Sequence, residues 1–435
     1  MTFRSALFWL HLVAGLIAAL SIGIMCLTGV ALAFEKELVA WAERDARRIE
    51  APPPGTPRLT LAQLQEKLRA TRPDARPTGI MLQNDPRAAV AFTAGRSEAY
   101  YVNPYTGEVR QPASTAMAAF LRTMTDWHRY LALGGDHRDT GKLINGSCNL
   151  AFCFLAVSGL YLWMPRTWSW RALRPLIWFR QNATARARDF NWHNAIGFWT
   201  APVLIVLTLT AVPISFRWGG SVINTLVGAP DTGGAPAPGG RGPGGPGGGP
   251  AVMVPPPNAD ASPLPLEAVL ATAQREAPAW TTLTLRLGGA PDGRGGPREG
   301  RGGRPPEGGE ATRDPTARRS DTSPTSAPSK GVAAPTVMVR EANAWPRTAS
   351  TTLVVDPFTG TVVRRSGYRD LPAAQQVRSW TRFLHTGEAV GWWGQLVAGL
   401  ACLGGCFLVY TGVALSWRRF VRPRQTEPAA VPAKA

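Results

Sequence analysis

The sequence predicts an α-helical membrane protein in which four transmembrane helices form a duplicated unit of helix, outer domain and helix, with two small α+β extracytoplasmic domains. Three observations support this. First, residues 6–34, 143–164, 195–216 and 391–417 are apolar runs of at least 22 residues without Asp, Glu, Lys or Arg. At about 1.5 Å per residue each is long enough to cross about 30 Å of hydrocarbon. Second, the chain matches itself without gaps at an offset of 253, residues 103–162 against 356–415. Third, the basic residues gather beside particular runs, not on one compact soluble face. The net charge of +18 over 435 residues therefore speaks for orientation in a membrane and against nucleic acid. A soluble enzyme is excluded.

Taken in order, residues 1–34 hold the first helix. Ala31-Leu32-Ala33 resembles a signal cleavage site, but an apolar stretch of 29 residues is too long for a signal-peptide core and is expected to stay as an anchor. Residues 35–142 form the first outer domain. Within it 59–70 has helical apolar spacing, 79–82, 88–92 and 98–102 read as strands, and Asn103-Pro-Tyr-Thr-Gly107 is a tight hairpin turn before 108–110. Residues 143–165 are the second helix. The loop 166–190 carries Arg166, Arg171, Arg174, Arg180, Arg186 and Arg188 against one acid, Asp189, which places it in the cytoplasm. Residues 191–217 are the third helix.

The second outer domain, 218–390, repeats the helix at 264–275 and the final hairpin at 350–365. It also holds Gly- and Pro-rich inserts at 229–262 and 287–335, whose composition cannot bury enough surface to fold. Residues 391–417 are the fourth helix. The tail 418–435 opens with Arg418, Arg419, Arg422 and Arg424, so both termini are cytoplasmic. Trp9, Trp127, Trp163, Trp192, Trp392, Trp393 and Trp417 mark the interfaces. All five cysteines lie in apolar runs and read as small packing residues, not as a disulfide framework.

The chemistry concentrates in histidines. His11 and His193 are equivalent at an offset of 182 and lie near the cytoplasmic starts of the first and third helices. His128 and His385 lie just outside the second and fourth helices, displaced from the 253 offset by one helical turn, which keeps them on one face. A lone interfacial His can simply hydrogen-bond to lipid or backbone, but two symmetric pairs point to ligation. Two facing neutral imidazoles are what a six-coordinate haem iron takes as axial ligands. Zinc competes, but no Cys, Asp or Glu completes a tetrahedron at the inner pair. Thr28-Gly29, Ser158-Gly159 and Thr411-Gly412 recur at the far helix ends, with Thr210-Ala211 the weakened copy, and put small residues opposite each pair. Arg129 and Arg382 are equivalent, adjoin the outer pair and suit haem propionates. His137 belongs to neither symmetry and is the reserve should His128 not be a ligand.

His11 with Gly15, Trp127-His128-Arg129, His193 with Gly197, Leu384-His385-Thr386-Gly387, the Thr-Gly or Ser-Gly helix ends and the two Pro-aromatic-Thr-Gly turns resemble the bacterial PepSY-associated transmembrane helix proteins, the iron-regulated membrane proteins that include ferric siderophore reductases. That resemblance implies a four-helix bacterial inner-membrane protein with two periplasmic PepSY-type domains and, as in its reductase members, two b-type haems held by His11, His193, His128 and His385. The expected activity is reduction of a periplasmic ferric siderophore or ferric chelate. A quinol or a separate flavoprotein would donate the electrons, because no nucleotide-binding Gly-rich loop is present. The rival readings are a haem-free permease and a peptidase-binding interaction protein.

Overall fold

The hydroxyl of Thr2 accepts the Ser5 N–H and starts helix α1 (Phe3–Leu32), whose 30 residues have no charge after Arg4. The computed structural model describes residues 2–50, 52–94, 98–111, 115–165, 167–180, 184–230, 252–258, 260–287 and 331–421. Most of the two Gly- and Pro-rich inserts and the tail from 422 onward lie outside the described residues. Four helices are long and apolar enough to cross a membrane. The chain is a membrane protein.

After α1 the chain forms α2 (Glu35–Ala42) and α3 (Arg44–Arg47), then α4 (Leu61–Thr71), opened by a reciprocal cap between Thr60 and Gln63. Strands β1 (Gly79–Gln83), β2 (Val90–Ala94), β3 (Glu98–Val102) and β4 (Val109–Arg110) follow. Next come α5 (Ala116–Tyr130), α6 (Arg138–Trp163), α7 (Trp170–Ile177), α8 (Ala185–Ser215) and α9 (Arg217–Leu226). The second connection adds β5 (Met253–Val254), α10 (Leu266–Glu276), β6 (Trp280–Arg286), β7 (Val332–Ala333), β8 (Thr336–Glu341), β9 (Thr351–Val355) and β10 (Val362–Ser366). Helices α11 (Ala373–His385) and α12 (Trp392–Phe420) complete the described chain.

The spanning helices form a four-cornered bundle. Helix α1 packs on α6 and α12, and α8 packs on the same two, so α1 and α8 face each other across one diagonal. Small buried residues allow this closeness. An added Cβ at Gly405 would lie 2.5 Å from Cys26 Sγ, and one at Gly29 would lie 3.0 Å from Cys402 Sγ. The thiols fill the grooves that glycines clear, as close helix packing requires.

At the bundle end where α1 begins and α12 finishes, two of the helix pairs are each clamped by an arginine. Arg4 donates to the Leu162 and Met164 carbonyls at 2.6 and 2.9 Å, satisfying the end of α6. Arg418 at the end of α12 reaches Asp189 on α8 at 2.5 Å, and Arg188 reaches the other carboxylate oxygen at 3.1 Å. Asp189 is fully buried. Removing one partner of a buried ion pair strands the other. Arg418→Met is therefore expected to destabilise the bundle by about 3 kcal/mol, and Asp189→Leu with Arg418→Met together by much less. Unfolding of the single and double variants in mixed micelles measures this, and additive losses would remove the coupling.

The two expected outer domains are a single sheet in the structure. Its strand order is β10-β9-β8-β6-β1-β2-β3-β4, so each connection contributes four strands and the halves join where β6 pairs antiparallel with β1, Ile80 opposite Leu285. The reason is local. Both central strands carry apolar residues on the covered face, Ile80 and Leu82 on one and Leu283 and Leu285 on the other, and neither could stay an open edge in water. Helices α4 and α10 cover that face over a shared core that includes Leu64, Leu68, Phe92, Val269, Val337 and Leu353. Glu267 of α10 even caps α4, accepting the Leu61 N–H. The turns match as well. Gly107 and Gly360 have φ of 76° and 71°, and the Asn103 and Asp356 side chains accept the Tyr105 and Phe358 N–H groups.

Three further features are local. Helix α8 begins at Ala185, ten residues ahead of the apolar run, because Thr184 caps it and Asp189 has partners inside the protein. Between the second and third spans the chain also forms α7. The flanks of the two inserts pair with each other, Met253 opposite Ala333.

Candidate functional site

His11 and His193 project from α1 and α8 near the bundle end at which both helices begin. His128 and His385 belong to α5 and α11, amphipathic helices on the sheet side of the bundle. Their ring centroids are 6.3 Å apart at an interplanar angle of 56°. The structure thus brings His128 and His385 together. His137 is exposed in the turn before α6.

How His128 comes to face His385 follows from the corners between helices. Helix α5 stops at Tyr130 because Leu131 and Ala132 take the left-handed conformation, with φ of 51° and 57°. Helix α11 runs on to His385 and turns at Gly387, with φ of 74°. Under the 253 offset the end of α5 at Tyr130 corresponds to position 383, so α11 runs two residues further, which accounts for half of the four-residue displacement of the two histidines. Asn145 on α6 holds the first corner, donating to the His128 carbonyl at 2.7 Å while accepting from Ser21 at 3.1 Å.

Each of these four imidazoles, His137 apart, has its Nδ1 engaged. His11 Nδ1 lies 2.8 Å from Ser158 Oγ, His193 Nδ1 2.9 Å from Thr411 Oγ1, and His128 Nδ1 2.9 Å from Thr28 Oγ1. His385 Nδ1 lies 2.9 Å from the Leu207 carbonyl and 3.4 Å from Thr210 Oγ1. The hydroxyls have one proton each, and they donate it to their own helix: Thr28 to Ile24 at 2.6 Å, Thr411 to Phe407 at 2.7 Å and Ser158 to Leu155 at 3.4 Å. So placed, they accept from the imidazole, as the Leu207 carbonyl must. For His385 the carbonyl partner fixes the Nδ1–H tautomer, and for the other three rings the same tautomer satisfies the hydroxyl contacts and leaves each Nε2 its lone pair.

Sequence reasoning read the Ser-Gly and Thr-Gly helix ends only as small residues. Their hydroxyls are the orienting groups, and the signal was the Ser or Thr ahead of each small residue. The glycine clears space beside the same ring. A Cβ at Gly159 would stand 3.3 Å from His11 Cε1, one at Gly412 3.6 Å from His193 Cε1, and one at Gly29 3.6 Å from His128 Cε1. Where Ala211 replaces the glycine, the hydroxyl contact is the longest of the four and a backbone carbonyl takes over.

These residues fit haem on two grounds. Two imidazoles on opposite sides of one metal ion, at a metal–nitrogen distance of about 2.0–2.1 Å, have ring centroids about 6.3 Å apart, which is the separation of His128 and His385. The second ground is the donor chemistry, since each pair offers two imidazole nitrogens, the donor set that a haem iron takes from a protein. Arg129 is exposed, stacks over the Tyr130 ring at 5.2 Å and acts by its charge on both outer rings. Arg382 is exposed and stacks over Phe383 at 5.9 Å.

Burial, with the neighbouring charges of His385 and Arg129, lowers the His128 pKa to about 4. Burial, with Arg129, also lowers that of His385. Both are neutral at pH 7, as ligation requires. An unfolded histidine titrates near 6.5, so between about 6.5 and 4 the unfolded chain binds protons that the folded chain refuses. Stability from these groups is present above that window and lost as the pH falls through it. The protein is expected to lose stability between pH 6.5 and 4, and His128→Phe to flatten the loss. A melting series across that range checks it, and an equal slope in the variant contradicts it.

The profile of the family described as PepSY-associated TM region matches residues 8–419 of the chain. No curated protein matches it.

Proposed function

The chain belongs to the family of PepSY-associated TM regions, and from that premise we propose that it is a dihaem membrane electron-transfer protein that reduces a ferric siderophore or similar ferric chelate. The observation that carries this is the set of four imidazoles whose Nδ1 atoms are all committed to the protein. His11 and His193 would hold one haem b through Nε2, and His128 and His385 the other. When bound, haem iron passes single electrons by alternating between its ferric and ferrous forms.

The chain's own residues do the positioning. Ser158, Thr411, Thr28 and the Leu207 carbonyl keep the tautomer and hold each ring plane. Gly159, Gly412 and Gly29 leave space beside the rings for a flat ligand. Arg129 and Arg382 suit propionate carboxylates. We read the two halves of the sheet as copies of one outer module, and the bundle end carrying the termini as the cytoplasmic side of a bacterial inner membrane. The chelate meets the sheet side, and iron is released because Fe(II) is held less tightly than Fe(III) by hard oxygen ligands. A quinol or a separate flavoprotein supplies the electrons.

The test is direct. The protein purified in detergent should show a b-type haem spectrum with two haems per chain by pyridine haemochrome. A folded but colourless protein removes the electron-transfer reading and favours a permease or a peptidase-binding role.

A further inference from the structure

We propose that α7 and its flanks are an interfacial binding site for anionic phospholipid headgroups in the leaflet at the termini end of the bundle. The proposal does not depend on haem. Helix α7 turns Trp170, Arg171 and Arg174 outward, and Trp168, Trp178, Phe179 and Arg180 are exposed on its flanks. Its opposite face, with Leu173, Leu176 and Ile177, is half-buried, and the helix packs on α8. Indole rings beside guanidinium groups on one face are the composition of a helix lying in a headgroup layer.

What places this helix at the lipid boundary is how its C-terminal carbonyls are satisfied. The last carbonyls of a helix have no partner within it, and in water they are hydrated. Here Asn191 donates to Pro175 and Trp178 at 2.7 and 3.1 Å. Trp163 donates to Leu176 at 3.4 Å and Trp199 to Ile177 at 3.0 Å. Trp163 and Trp199 belong to spanning helices, and Trp199 lies six residues beyond His193 along α8. The end of α7 is therefore sealed against the span, as backbone must be where water is scarce.

Charge selects the occupant. The one acid of the segment, Asp189, is buried between Arg188 and Arg418. Among the described residues Arg171, Arg174, Arg180 and Arg186 have no carboxylate within ion-pair distance. Phosphate headgroups complement them. The site also bears on function, because Asn191 ties α7 to the helix that carries His193 two residues later.

The experiment places the whole protein in nanodiscs of phosphatidylcholine with phosphatidylglycerol and counts retained lipids of each class by native mass spectrometry. Wild type should enrich phosphatidylglycerol. Each Arg-to-Gln change at Arg171, Arg174 or Arg180 should lower the preference about fivefold, while Arg-to-Lys changes keep most of it. If the triple Gln variant does not fold, wild type decides alone, since its enrichment should fall with added salt as exposed charges are screened. Equal retention in wild type and a folded Gln variant, or a salt-independent enrichment, overturns the proposal.

Discussion

On the dihaem reading, His128→Ala is expected to leave one haem of the two, and His385→Ala to give the same one-haem protein with the same spectrum. The expectation rests on geometry. The two rings are 6.3 Å apart, each is neutral at pH 7 and each has its Nδ1 committed, so neither has another use for its Nε2. Losing one axial ligand of a pair should have the same consequence whichever ring is lost. His11→Ala and His193→Ala should then agree with each other and remove the other haem. His137→Ala should change nothing, because that ring stands exposed in the turn ahead of α6. A milder series follows from the hydroxyls. Thr28→Val and Thr411→Val leave the ligating nitrogens in place but remove their orienting partner, and should weaken haem retention about 10- to 100-fold. If His137→Ala instead reproduced His385→Ala, the outer site would have to be rebuilt around a different ring.

What could be read in the sequence was what depends on period and composition. The spans were legible because lipid demands long uncharged stretches, and the turns at 103–107 and 356–360 because a left-handed glycine leaves a signature. The single sheet was not legible. Each half contains a complete strand pattern, and nothing in either half records that β1 and β6 pair, since that pairing links residues 80 and 285. Nor do α5 and α11 stand out as helices, since their apolar residues sit on one face only and they adjoin the longer apolar runs. The four histidines stood out because the repeat marked them. The Ser and Thr hydroxyls did not, because a residue beside a glycine in an apolar helix reads as packing until a ring nitrogen is found 2.8 Å away.

The second large effect concerns transport of charge across the membrane. Seventeen residues of α1 separate His11 from Thr28, the partner of His128, which is about 25 Å at about 1.5 Å per residue. The third spanning helix repeats the interval between His193 and Thr210. That distance is most of the hydrocarbon thickness, so a single ligand pair at either end would leave the greater part of the path uncrossed, whereas two pairs divide it. In vesicles with the termini end inside, reductant supplied only in the lumen is expected to reduce a ferric chelate added outside. His11→Ala and His128→Ala should each abolish this even though each retains one haem, and that result separates a relay from two independent sites. A variant lacking the outer pair that still reduced the external chelate at the normal rate would show that electrons do not pass through His128 and His385, and a permease or binding role would then explain the chain better.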